Sequence, residues 1–136
     1  MALNVRVIAP DKTVWDSQAE EVILPSTTGQ LGILSGHAPL LSALDIGVMR
    51  VRPGKDWVAI ALMGGFAEVE NDQVTILVNG ADRGDNIDTE SARTAFTEAE
   101  ARFNQLQGTD NRQEKMQATQ ALKRARARFQ AAGGMV

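Results

Sequence analysis

The chain changes character at one point, and that seam limits what it can fold into. Nine of its twelve glycines and all four prolines lie before residue 86. Charge divides there too. Residues 1–85 hold six Lys/Arg and eleven Asp/Glu, a net of −5, whereas residues 86–136 hold eight and six, a net of +2. The first stretch is rich in Val, Ile, Leu and Gly, which favour strands and turns; the second is rich in Ala, Gln, Arg and Glu, which favour helix. At ~100–200 residues per domain, a chain of 136 residues is one domain or one domain with an appendage. The expectation is therefore a β domain over residues 1–85, joined near Asp85-Asn86 to a helical domain over residues 86–136.

Short strand-like runs recur before the seam. Leu3, Val5 and Val7 alternate with Asn4 and Arg6 before Ala-Pro-Asp-Lys turns the chain. Glu21-Val22-Ile23-Leu24 stops at Pro25, and Val48-Met49-Arg50-Val51-Arg52 stops at Pro53-Gly54. Trp57 to Met63 is mostly apolar, so it is expected between two packed layers. Phe66-Ala67-Glu68-Val69-Glu70 and Val74-Thr75-Ile76-Leu77-Val78 flank Asn71-Asp72, a hairpin turn. Many short strands at this spacing predict an antiparallel sandwich or flattened barrel. Beyond the seam, Asp88 is a good N-cap, with Glu90 in the first turn facing the helix dipole. Ala92, Ala95, Phe96, Ala99, Phe103 and Leu106 form one apolar stripe, and Met116, Thr119, Leu122, Ala125, Phe129 and Ala132 a second. Gln107-Gly108-Thr109-Asp110 separates them and Gly133-Gly134 ends the second. The result is a helical hairpin. Its faces are alanine-rich. Each large side chain contributes ~1.5–3 kcal/mol on burial and few are present, so the hairpin is expected to be marginal and able to open.

Composition excludes whole classes of function. There is no cysteine, hence no disulfide scaffold, thiolate metal site or thiol nucleophile. A net charge of −3 and a pI near 5.1 argue against a nucleic-acid binder. Apolar runs fall far short of the ~20 residues that span a bilayer. The opening Met-Ala-Leu-Asn-Val-Arg lacks the charged region and apolar core of a secretory leader. These features predict a soluble or peripheral intracellular protein. His37 is the single histidine, with Ser35 close by but no neighbouring carboxylate, and is expected to make a backbone or interface hydrogen bond rather than act as a base. No ligand spacing suggests a metal. Gly29-Gln30-Leu31-Gly32 and Gly64-Gly65 match no phosphate loop, and the latter marks a bulge or close backbone approach. Residues 112–128 carry six Lys/Arg and one acid, Glu114. Either this is a solvated face, or it is built to meet an acidic surface or a phosphate.

Val14-Trp15-Asp16, Ser26-Thr27-Thr28-Gly29-Gln30-Leu31-Gly32-Ile33-Leu34-Ser35-Gly36-His37-Ala38-Pro39-Leu40, Ala61-Leu62-Met63-Gly64-Gly65-Phe66-Ala67, Thr75-Ile76-Leu77-Val78-Asn79 and Ala121-Leu122-Lys123-Arg124-Ala125-Arg126-Ala127-Arg128 occur in that order. Together they resemble the epsilon subunit of the F-type ATP synthase, in its cyanobacterial and chloroplast branch, over essentially the whole chain. The resemblance implies a β-sandwich of about ten strands followed by a C-terminal α-helical hairpin. It implies a non-catalytic central-stalk subunit whose sandwich binds the gamma subunit and the c-ring, with Gln30, Leu31, Ser35 and His37 at that interface. The helices would leave the hairpin and extend, and the basic residues Lys123, Arg124, Arg126 and Arg128, solvated until then, would meet acidic segments of the catalytic alpha/beta subunits and block ATP hydrolysis. Some bacterial members hold ATP through an Ile/Leu-Asp-x-x-Arg-Ala motif. Here it reads Ile87-Asp88-Thr89-Glu90-Ser91-Ala92, so Asp88, Arg124 and Arg128 would be weak ATP contacts without the motif arginine. No cofactor is implied. The implied location is peripheral, on the cytoplasmic or stromal face of an energy-transducing membrane such as the cyanobacterial thylakoid. A β-sandwich ligand-binding module with an accessory basic helix is the competing expectation.

Overall fold

Alternation decides the first strand. In β1 (Leu3–Ala9) the odd-numbered residues Leu3, Val5, Val7 and Ala9 are buried, as period-two side chains on a half-buried sheet must be. The computed structural model describes residues 2–135. After β1 come β2 (Lys12–Ala19), β3 (Glu21–Ser26), β4 (Gly29–Leu34), β5 (Leu40–Arg52), β6 (Val58–Glu70), β7 (Gln73–Val78) and β8 (Ala81–Arg83). A single 3-10 turn, Gly84–Asn86, leads to α1 (Thr89–Gln105) and α2 (Arg112–Ala131). The strands follow the order β2-β1-β7-β6-β5-β3-β4, with β8 also on β6. Among the described residues β1–β7 is parallel and the remaining ladders are antiparallel.

The expected hairpin is present at Asn71 and Asp72, whose φ values of 51° and 62° are the left-handed pair that a two-residue turn demands. Among the described residues eight strands form where about ten were expected, and the reason lies in β5 and β6. Each runs for 13 residues: β6 unites two runs that the sequence shows as separate, and β5 extends Val48–Arg52 back to Leu40. Gly64 and Gly65, at φ 82° and 154°, let β6 change direction without ending. A Cβ on Gly65 would lie 2.1 Å from the Leu77 carbonyl oxygen, so this is a close backbone approach that only glycine permits. Along one edge β6 pairs first with β8 and then with β7.

Two apolar clusters result. The interior of the sandwich is filled by residues such as Leu3, Val22, Leu24, Ile33, Met49, Ile60, Leu62 and Ile76, and every buried member comes from the strands. The second cluster joins Ala61 of β6 to Ile87, Ala92, Phe96, Leu122, Ala127, Phe129 and Ala131. Strand β6 thus serves both, Ile60 and Leu62 facing one way and Ala61 the other. The expectation that this run lies between layers holds from Val58 onward, while Trp57 is outside it.

The helices begin as their sequence dictates. Asp88 caps α1 by accepting from the Glu90 N–H, and Asn111 caps α2 by accepting from the Glu114 N–H. Gly133, at φ 100°, ends α2 in a Schellman arrangement: its N–H donates to the Gln130 carbonyl, and that of Gly134 to the Phe129 carbonyl. Their buried faces differ from the expected stripes. Ala95 and Met116 are exposed, and Ala118, Ala127 and Ala131 are buried instead. Helix α2 carries two contact stripes because it lies between α1 and the sheet. Phe129 stacks on Phe96 of α1, with ring centroids 5.7 Å apart. Ala131 abuts Gly84, where a Cβ would lie 1.8 Å from the Ala131 carbonyl oxygen. Met116, Gln120 and Arg124 continue the line of Ala127 and Ala131 by three- and four-residue steps yet are exposed, so this part of α2 overhangs the sheet.

Candidate functional site

Strand β4 and the turn after it carry the residues expected at an interface. Gly36, at φ 86°, reverses the chain, and Asp72 of the neighbouring hairpin holds the turn in place. The Ser35 hydroxyl donates to Asp72 Oδ2 at 2.9 Å, and the Gly36 N–H to Oδ1 at 2.7 Å. The Gly36 amide first, and then the Ser35 hydroxyl, hold the Asp72 carboxyl below its ordinary pKa, because both donate to the ionised form. With its hydroxyl donated to a carboxylate, Ser35 is not paired with His37 as nucleophile and base. His37 makes the expected backbone bond: Nδ1 lies 2.7 Å from the Ala38 carbonyl oxygen. A carbonyl only accepts, so in this bond the proton sits on Nδ1.

Gln30 does not join this group. It lies at the other end of β4, about 17 Å from Ser35 along an extended strand. There it borders a shallow depression with Pro25, Val48 and Arg50 of the sheet, Gln130 of α2, and Gly134 and Met135 beyond it. Leu31 packs against the sandwich interior. The four residues therefore divide into an exposed turn (Ser35, His37), an internal contact (Leu31) and a position beside the end of α2 (Gln30).

A surface that sequence reasoning missed lies on the outer face of the sheet. Register aligns Ala43 of β5, Phe66 of β6, Leu77 of β7 and Ile8 of β1 across four strands. Phe66 and Leu77 are 56% and 53% exposed, and Leu41, on the same face of β5, is 71% exposed. The signal was present. In Phe66-Ala67-Glu68-Val69-Glu70 the alternation puts Phe66 in phase with the two glutamates, on the outward side.

The basic residues of α2 are not all solvated, contrary to expectation. Lys123 Nζ lies 3.5 Å from Asp45 Oδ1, and Arg128 donates to Asp82 on β8. The reason is tertiary: α2 rests on β5 and β6, so its flanks come within reach of sandwich carboxylates. Arg124 and Arg126 are exposed and have no carboxylate partner among the described residues.

Two of the three residues suggested for ATP, Asp88 and Arg128, are already engaged within the chain. Both Asp88 oxygens are engaged, one by the Glu90 N–H and one by the Ser91 hydroxyl at 3.1 Å. Arg128 is paired with Asp82, and the depression along α1 is lined by Glu90, itself paired with Arg93, and by Glu98, with no cation in its lining. Among the described residues no group of three His, Asp or Glu side chains is placed to hold a metal, and no helix is long and apolar enough to cross a membrane.

Residues 2–84 match the family model of the ATP synthase delta/epsilon chain beta-sandwich domain, and residues 85–133 that of its long alpha-helix domain. The chain is 74% identical over 136 residues to the ATP synthase epsilon chain of Trichodesmium erythraeum, covering all of this chain and 99% of that one. Against the ATP synthase epsilon chain of Thermosynechococcus vestitus the identity is 70%, with the same coverage. Among solved structures, a chain of the Euglena gracilis mitochondrial ATP synthase (OSCP/F1/c-ring) superposes with a TM-score of 0.80 at 22% identity, covering 96% of this chain and 81% of that one. One from the central stalk/c-ring of the Tetrahymena thermophila enzyme gives 0.64 at 17%, covering 96% of each. At such identities the likeness is one of fold.

Proposed function

We propose, since this chain belongs to the ATP synthase delta/epsilon family as an epsilon chain of the cyanobacterial type, that it is a rotor subunit of the central stalk. In this reading it couples the catalytic head to the c-ring and performs no chemical step itself. Residues 1–85 are the rotor-binding unit and residues 86–136 the regulatory one. The outer face of the sheet binds the gamma subunit, and the Ser35–His37 turn, fixed by Asp72 and offering a free imidazole Nε2, meets the c-ring or gamma. The protein is peripheral, held on the cytoplasmic or thylakoid-stromal face by the complex. When α2 leaves the sheet, its cations pair with acidic segments of the catalytic subunits and ATP hydrolysis stops.

The observation that carries the rotor reading is the apolar row Ile8-Phe66-Leu77 with Leu41. It lies outside a sandwich whose interior is already full, and so is available to a partner. Large side chains at the centre of an interface contribute most of its affinity. Phe66→Asp with Leu77→Asp should weaken gamma binding at least a hundredfold in titration calorimetry, while the melting temperature stays within a few degrees because both side chains are already more than half exposed. Unchanged gamma affinity would remove this face from the interface.

A further inference from the structure

Helix α2 is gripped from both sides by charge. Lys123 and Arg128 are five residues apart, which places them about 140° from each other around the helix. Ala127 and Ala131, the small residues that rest on the sheet, lie in the arc between them. Lys123 reaches Asp45 on β5, and Arg128 reaches Asp82 on β8, so the two anchors stand on opposite sides of β6. Asp45 lies where the β5–β6 register skips from Leu44 to Ile46, and its Oδ1 also accepts from the Ile46 N–H at 2.8 Å. Asp82 is opposite Ala61, the sheet residue most deeply set under the helices. Neither aspartate is buried, and among the described residues neither has a cationic partner from its own domain.

We propose that Asp45 and Asp82 form an internal acidic receptor for α2, occupying two of the cations that would otherwise engage an acidic partner. This rests on the reading that the basic face of α2 inhibits hydrolysis. Release is then an exchange of carboxylates: Lys123 and Arg128 leave Asp45 and Asp82 as they meet acidic side chains on a catalytic subunit. Arg124 and Arg126, unpaired in the docked helix, make the first contact. Because each cation holds one carboxylate cluster at a time, docking and inhibition exclude each other. A partner shifts the balance only by the difference between its own carboxylates and these two.

The test uses the full chain with Asp45→Asn and Asp82→Asn together. Asparagine keeps an oxygen for the Ile46 N–H while removing the charge. Trypsin cleaves after Lys and Arg, so Lys123, Arg124, Arg126 and Arg128 report the opening of α2 directly. The half-exposed pairs are individually weak, so cleavage within α2 should rise about three- to tenfold, and the variant should inhibit the reconstituted catalytic complex at a correspondingly lower concentration. Asp11→Asn with Asp56→Asn makes the same change in net charge at exposed carboxylates that pair with no cation of α2 among the described residues, and should behave as the unaltered chain. Exchanging the charges (Asp45→Lys with Lys123→Asp, Asp82→Arg with Arg128→Asp) should restore protection of Arg124 and Arg126. This second variant decides the matter if the first fails to fold. Cleavage no faster than in the unaltered chain, or no restoration on exchange, overturns the receptor. Faster cleavage without stronger inhibition leaves the receptor standing and overturns the inhibitory role of α2.

Discussion

Asp72 does two jobs with one carboxylate, as a left-handed turn residue and as the clamp on Ser35 and Gly36. Because its folded pKa lies below the ordinary 3.8, the clamp is in full force above that value and fails as pH falls through the lower, folded pKa. The Gly36 amide resonance should therefore titrate with a midpoint below that of a free aspartate, and in Asp72→Asn it should not move over the same range. A midpoint at or above the ordinary value would show that the carboxylate does not hold the turn. At this scale the sequence is eloquent about local chemistry. The Asn71-Asp72 turn, the Asp88 cap and the Gly133-Gly134 stop are all bonds closed within a few residues, and all were legible. The Asp82–Arg128 pair is not, because its members stand 46 residues apart and meet only once the helices are docked.

Among the elements, α2 depends on very few side chains. Phe129 stacks on Phe96, lies under the Arg93 guanidinium at 5.5 Å, and packs against Gly134. Beside it the face is alanine and Leu122. Phe129→Ala removes ~3–5 kcal/mol of packing from a hairpin with little else to lose. Hydrogen exchange should accelerate throughout α1 and α2 while β1 and β7 keep their protection. Loss of protection in the strands to the same degree would mean that helices and sandwich unfold as one. Helical period alone gave the existence of both stripes but misplaced Met116, since periodicity says which residues share a face and not where the surface beneath that face ends. Likewise the resemblance groups Gln30 with Ser35 and His37 at one interface, whereas β4 is extended and carries Gln30 away from Ser35.

For the molecule as a whole, the separation of the two apolar clusters means that the sandwich does not need the helices to fill its interior. A fragment of residues 1–85 loses only the cover over one outer face. It should melt cooperatively and bind gamma within about threefold of the full chain. A fragment without a cooperative transition, or without gamma affinity, would show that the helices are part of the folding unit. The change in composition at residue 86 falls between β8 and α1, and it is visible because strands and helices draw on different residues. The outer apolar row was harder to see, since its members come from four strands whose order no single segment records.

The parallel pairing of β1 with β7 bears on what a turning shaft asks of such a part. Load that enters through the helices reaches the sheet at the end of β8, next in sequence after β7, while β1 runs alongside β7 in the same direction. Tension between the start of β1 and the end of β7 slides the two strands past each other, so the paired positions from Asn4–Gln73 to Ile8–Leu77 bear it together rather than parting one by one. The helices, seated on alanine and two ion pairs, have no such arrangement. A pull that enters through the helices should therefore detach them before it parts β1 from β7.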